Sequence, residues 1–314
     1  MATVHDLKRR IRSIRNTRKI TKAMELVASA RLRRAQARIE AMRPYADRMM
    51  ELMIGTARAS TPMFSRPGAD GSAGGASSHV RGLPLLQRHE EERAVAILPL
   101  TGDRGLAGGF NSQVLRHSLA LNRQLEAEGK QVRWLVSGRK GASTLRFRRF
   151  EVLQAWTGFS DRPMYADAQA LAHKVAELYV GGEVDRVVLV YNHFVSPLVQ
   201  QVVEQDVLPI PEEVLAGSEE AERQEALLGD FIYEPEPEQI LERLLPVYVE
   251  TELFRALLES AASEQGARMT AMRNASKNAA ELIDTLTLAM NRARQAEITQ
   301  EILEVVAGAD ALTQ

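Results

Sequence analysis

Both ends of this 314-residue chain repeat their apolar residues every three to four positions over lengths that no small globule can wrap. From Val4 one seam runs Val4, Ile11, Arg18, Glu25, Leu32, Ile39 and Ala46, and a second runs Leu7, Ile14, Thr21, Ala28, Ala35, Met42 and Met49. That heptad spacing predicts a long helix committed to a helical partner. The first glycine is Gly55, so a helix from about Thr3 to Thr56 is expected, roughly 80 Å long at about 1.5 Å per residue. Pro44 predicts a kink or local break within it. After Glu234-Pro-Glu-Pro237 little interrupts a second helix except Pro246 and Gly266 until Gly308, about 105 Å by the same measure. Its seams read Met272, Ala279, Leu286 and Ala293, with Ala275, Leu282, Ala289 and Ala296. Pairing the two ends as one antiparallel coiled coil, longer on the C-terminal side, is the economical solution. Its alanine-rich seam buries little apolar area per layer. Arg18 and Glu25 fall where apolar knobs are expected, so two placements stay open: polar groups in the seam, or a stripe that drifts onto Ile20, Met24 and Val27.

The sequence between the helices is of another kind. Residues 62–80 are rich in Gly, Ser and Ala and read as a flexible loop. Short β-branched runs follow at Ala94 to Leu100, Val132 to Ser137, Phe150 to Trp156 and Arg186 to Asn192, with helical patterns at Ser112 to Glu128 and Ala166 to Val180. Strand and helix in alternation predict a mainly parallel sheet with flanking helices. The fold class is therefore α/β with a long antiparallel coiled coil, the sheet domain inserted between the paired terminal helices. The expected divisions are a helix over 1–58, a flexible Gly/Ser loop over 59–92, a Rossmann-like domain over 93–215, an acidic connection over 216–237, and a helix over 238–314.

Charge is unevenly distributed. Residues 1–50 hold 14 Lys/Arg against 4 Asp/Glu, whereas residues 204–250 hold 2 against 14. Like charges held close together mark an interaction surface or a solvated face. The basic start includes Asp6 and Glu25 and continues past Arg48, so it reads as mature protein rather than as a transit peptide. The chain has no cysteine, which excludes disulfides, thiolate metal sites and thiol nucleophiles and suits a reducing compartment. No uninterrupted apolar run is long enough to span a bilayer.

Two glycine-rich turns invite a phosphate-binding reading: Thr101 to Asn111 (TGDRGLAGGFN) and Ser137 to Gly141 (SGRKG), each following a strand. Glycines 102, 105, 108 and 109 depart from the dinucleotide spacing, and no P-loop triplet occurs, so a structural turn is the favoured reading. The six histidines, His5, His79, His89, His117, His173 and His193, lack metal-ligand spacing. Asp103, Asp161 and Asp167 are possible bases with no nucleophile or metal beside them in sequence. No catalytic constellation or cofactor is expected.

Several segments resemble, in order along the chain, the γ subunit of F-type ATP synthases. They are Ile20 to Ala28 (ITKAMELVA) with Arg31 and Arg43-Pro-Tyr45, Asp103 to Gly109 (DRGLAGG), Tyr233-Glu-Pro235, Ser263 to Met272 (SEQGARMTAM), and Ala293 to Ile302 (ARQAEITQEI) followed by Glu304 to Gly308. Residues about 60–92 fall outside the resemblance, Ala107 stands where many relatives carry Cys, and the Cys-bearing insert of chloroplast forms is missing. The resemblance implies a non-catalytic rotor subunit whose asymmetric shaft biases the catalytic sites of an α/β hexamer as ion flow turns a c-ring. It implies ring contacts at Lys19, Lys22, Met24 and Arg31 on one arm and Arg268, Gln295 and Thr299 on the other. It places a c-ring foot at Phe231, Tyr233 and Glu234, although packing beneath the sheet is an equal reading of the two aromatics. An ε subunit would dock nearby, and the chain would lie at the cytoplasmic face of a bacterial plasma membrane without spanning it. Two other readings remain, a basic coiled-coil nucleic-acid binder and a Rossmann-type nucleotide enzyme.

Overall fold

The computed structural model describes residues 3–64, 83–89, 91–211, 214 and 234–312. The elements run α1 (Val4–Phe64), β1 (Ala94–Pro99), α2 (Phe110–Ala127), β2 (Gln131–Ser137), α3 (Arg139–Phe147), β3 (Val152–Trp156), α4 (Tyr165–Val180), β4 (Arg186–Phe194), β5 (Gln200–Leu208) and α5 (Pro237–Leu312). They form two compact units, Met1–Ala30 with Arg268–Gln314, and Arg31–Ala267.

In the first unit the two helices pair antiparallel. Glu25 meets Arg273 at 3.1 Å, and a groove between the helices is lined by Lys8 to Leu26 on one side and Ser276 to Met290 on the other. The α1 seam is the heptad read from the sequence: Leu7, Ile11, Thr21, Glu25 and Ala28 are buried. Ile20 and Val27 are exposed, so the stripe does not drift, and a buried glutamate stands where a knob was expected. On α5 one expected seam holds, with Met272 and Ala279 buried and Leu286 and Ala293 half-buried. The other is displaced by one residue. Leu282 is 53% exposed, and Met269, Ser276, Ile283 and Met290 occupy the inner line instead. Alanine caused the misreading, because an alanine-rich helix offers two faces of nearly equal hydropathy and only Ile283 separates them.

The second unit is built on a five-stranded sheet of order β3-β2-β1-β4-β5. The first four strands are parallel and β5 is antiparallel to β4. Burial alternates with the pleat. Ala96, Leu98, Leu135, Val187, Leu189 and Tyr191 face one core with Met53 of α1, the apolar side of α4, and Leu245 to Leu257 of α5. Val95, Ile97, Trp134, Val136, Val188 and Val190 face the other, covered by α2 and α3. The parallel strands therefore read as near-continuous apolar runs. Edge strand β5 does not, since Gln200, Gln201, Glu204, Gln205 and Asp206 make it polar, and it was not anticipated. Nor was α3, whose first turn contains Gly141 and was read only as a loop.

Three further differences concern boundaries. α1 continues beyond residue 58 to Phe64 and is unbroken at Pro44. Glu40, whose carbonyl loses its i+4 donor to the proline ring, is exposed, so water can satisfy it. Residues 83–89, expected to be flexible, form a turn whose Leu85 and Leu86 are buried in the first core. The Ile210 N–H donates to the Leu85 carbonyl at 3.1 Å, and the Tyr179 hydroxyl donates to the Gln87 carbonyl.

Candidate functional site

The two glycine-rich turns lie at the C-terminal edge of the parallel strands, where α/β proteins place ligands. The amides that begin the first turn and those of the second are already used. Gly102 N–H donates to Asn111 Oδ1 at 2.8 Å and Asp103 N–H to Ser160 Oγ at 2.9 Å. In the second turn Gly138 N–H bonds the Trp156 carbonyl (2.8 Å), Arg139 N–H bonds Asp103 Oδ1 (2.9 Å), Lys140 N–H bonds the Gly102 carbonyl (3.1 Å), and Gly141 N–H bonds Thr101 Oγ1 (3.0 Å). A phosphate would have to displace these bonds. The glycines serve closeness: a Cβ at Gly138 would sit 2.0 Å from the Thr101 carbonyl oxygen, and φ there is +97°. The turns are structural.

The possible bases are structural too. Asp103 Oδ2 accepts from the Gly158 and Ser160 amides at 2.8 and 3.2 Å while its Oδ1 holds Arg139. Asp167 caps α4 by accepting from Met164 N–H at 2.7 Å. Asp161 bonds Arg31, Arg104 and Gln265. His89, His117 and His193 each face a single carboxylate, Asp185, Glu204 and Glu259. Among the described residues no group of three or more His, Cys, Asp and Glu is placed to hold a metal.

What remains is surface. On α1, Lys19 is exposed, Met24 is half-buried, and Lys22 is exposed while bonding Glu25 at 3.0 Å. The Lys22 hydrogen bond holds the Glu25 carboxyl below its ordinary pKa, burial opposes this, and Arg273 adds to it. The sequence reading missed that Lys19 and Lys22 end a longer stripe. Lys8, Arg12, Arg15, Lys19 and Lys22 each follow a seam residue by one, at alternating steps of four and three, and all are exposed. They line one side of the interhelical groove with Ile283, Thr287 and Met290. Among the described residues Lys8, Arg12, Arg15 and Lys19 have no ion-pair partner. The signal was present in the sequence as a second heptad, of charge rather than of apolarity.

The other expected contacts divide. Gln295 and Thr299 are exposed one turn apart on α5, with the Thr299 hydroxyl bonded to the Gln295 carbonyl at 2.8 Å. Residues 294–306 of α5 are all exposed, Ile298, Ile302, Leu303, Val305 and Val306 among them. Arg268, by contrast, is buried, and Arg31 is turned to Asp161 within its own unit, so neither presents a free cation. Glu234 is exposed; Phe231 and Tyr233 lie outside the described residues.

The whole chain has relatives. Residues 3–312 match the family described as ATP synthase. The ATP synthase gamma chain of Rubrobacter xylanophilus is 46% identical over 99% of both chains. That of Moorella thermoacetica is 43% identical over 99% of this chain and 100% of its own. A chain of the Tetrahymena thermophila mitochondrial ATP synthase central stalk and c-ring structure superposes with a TM-score of 0.56 at 26% identity, covering 82% of this chain and 99% of that one. A chain of the Euglena gracilis mitochondrial ATP synthase shares the fold, with a TM-score of 0.63 at 16% identity over 98% of this chain and 94% of that one. A paired-helix arm, a doubly covered sheet unit and a likeness that runs the full length lead to one conclusion: the chain belongs to the ATP synthase gamma-chain family.

Proposed function

We propose that the chain is the central-stalk rotor of an F-type ATP synthase, a subunit without an active site of its own. It would link rotation of a membrane c-ring to the catalytic sites of a surrounding α/β hexamer. The observation that carries this reading is the pairing of the chain's two ends into an arm with one basic side. A single asymmetric arm inside a threefold ring meets each catalytic site with a different face. Each site is then biased toward a different conformation, in proportion to the difference in contact free energy. Turning the arm exchanges the bias.

Lys19, Lys22 and Met24, extended by Lys8, Arg12 and Arg15, are the proposed ring contacts of α1, and Gln295 and Thr299 those of α5. Exposed cations tracking acidic groups of the ring act through a screened interaction, so salt should weaken it. Arg31 and Arg268 are better read as internal supports. Glu234, with Phe231 and Tyr233, is the proposed c-ring foot, an ε subunit would dock on the α/β unit, and the complex would lie at the cytoplasmic face of a bacterial plasma membrane. Neither rival reading gains support: the amides of Gly102, Asp103 and residues 138–141 are committed to bonds within the fold, and the basic stripe lacks the interleaved aromatics that stack on nucleic-acid bases.

Reconstitution tests the reading. The purified chain should not hydrolyse ATP alone, yet should co-purify with α and β subunits and confer rotation-coupled ATPase activity. Failure to assemble, or ATP turnover by the isolated chain, overturns it.

A further inference from the structure

Within the second unit, one short loop bonds both long helices. It comprises residues 157–164, between β3 and α4. Its base is pinned to the sheet edge by Asp103, whose Oδ2 accepts from the Gly158 and Ser160 amides and whose own amide donates to Ser160 Oγ. Its tip presents Asp161. Oδ2 of Asp161 receives Arg31 Nη1 of α1 at 2.9 Å and lies 3.2 Å from Arg104 Nη1 of the β1–α2 turn; Oδ1 receives Gln265 Nε2 of α5 at 3.1 Å. Two turns further along α1, the Arg38 guanidinium donates to the Pro163 carbonyl. The Asp161 side chain is about three-quarters covered and Gln265 is buried, so these bonds are only partly open to water.

Arg31 and Gln265 sit at the ends of this unit's share of α1 and α5, which continue as helix into the other unit from Ala30 and Arg268. Apolar packing joins both helices to the sheet through Met53, Leu253 and their neighbours. Such packing resists separation but is non-directional, so it sets angle and slide weakly. Ion pairs and hydrogen bonds are directional and set both.

We propose that the β3–α4 loop is a clasp that transmits torque between the α/β unit and the two long helices, with Asp161 as its positioning residue. This rests on the rotor reading above. Arg31 then acts inside the chain, as the α1 anchor of the clasp, rather than on the surrounding ring. A loosened clasp leaves ring contacts and hydrolysis intact while letting the helices yield against the body, so part of each driven step is stored as twist.

The test uses assembled complexes carrying wild-type chain, Asp161→Asn, Asp161→Ala, or the exchange Arg31→Asp with Asp161→Arg. The chain has no cysteine, so single cysteines can be placed for probes on the α/β unit. Angular variance of that probe is measured with the helical arm locked in the ring, together with ATPase rate and ions pumped per ATP. Asp161→Ala removes two of the loop's three directional contacts to the helices. Other bonds also tie α5 to this unit, Tyr165 to Glu250 at 2.7 Å and Ser263 to the Asn192 carbonyl at 2.9 Å among them, so the variance should rise measurably but by less than about threefold. Asp161→Asn should fall between wild type and alanine, pumping per ATP should drop while the ATPase rate holds, and the exchange should recover part of both losses. Unchanged variance in Asp161→Ala overturns the clasp. Should the alanine variant fail to assemble, Asp161→Asn, which keeps the side chain's shape, decides the matter by the same readout. A wild-type chain that never assembles overturns the rotor reading instead.

Discussion

Among the described residues, Asp103 is the side chain that accepts from the most backbone amides. Replacing it with alanine leaves three amides without their acceptor: Arg139 (2.9 Å), Gly158 (2.8 Å) and Ser160 (3.2 Å), from two different loops. A hydrogen bond to an ionised acceptor contributes about 1.5–3 kcal/mol when protected, but these sites are partly open to water, so about 1 kcal/mol each is the better figure, about 3 kcal/mol in all. In a unit of this size each kcal/mol lowers the melting temperature by about 2–4 °C, which gives a fall of about 6–12 °C. Asp103→Asn is the informative companion. Its one oxygen can serve Gly158 and Ser160, but its amide group then faces the Arg139 N–H, donor to donor. It should lie between alanine and wild type. Calorimetric melting of the three full-length chains reads the order, and hydrogen exchange at residues 139, 158 and 160 reads the locality. An alanine shift below about 2 °C, or asparagine worse than alanine, refutes the account of Asp103 as the post to which both loops are tied.

Three further outcomes are expected. Gly138→Ala combines left-handed backbone with a Cβ 2.0 Å from a carbonyl oxygen and should cost about 2–6 kcal/mol; Gly129→Ala, at φ +81° with nothing within 4 Å, should cost only about 1 kcal/mol, and equal losses in urea unfolding would refute the steric argument. Glu25 has its folded pKa depressed below the ordinary 4.5, so its contribution is present above that value and lost as pH falls through the lower folded one. The stability gap between wild type and Glu25→Gln should therefore close on acidification, and a gap that widens would refute it. Burial pushes the Tyr179 and Tyr191 hydroxyls up to about 12, and raises Tyr165 and Tyr248 as well. Ultraviolet titration of the native chain should show these tyrosines ionising only with alkaline unfolding; ionisation near pH 10 in the folded state would contradict their burial.

What the sequence disclosed follows from the range over which each signal acts. Heptads and β-branched runs are local, and they located both long helices and four of the five strands. The α1 seam was readable even at Glu25, because the period persists through a single polar residue. The second α5 seam was not, because Ala275 and Ser276 differ too little for spacing alone to choose between them. Strand β5 was lost because an edge strand answers to water on one side and to α5 on the other. Leu85 and Leu86 were lost because the Gly/Ser run before them biased the reading of what followed. The site divides in the same way. The basic stripe is periodic and could have been found; the Asp161 contacts join positions more than 100 residues apart, and no local pattern encodes them.

The last stretch of α5 has a consequence for the chain's life before assembly. From residue 294 to 306 every residue of this helix is exposed, and five of its aliphatic side chains face water. Contiguous exposed apolar surface draws whatever can cover it. A newly made copy should thus be adhesive until its sleeve closes, and synthesis in excess of its companions should yield aggregates and proteolytic fragments trimmed from the C-terminal end.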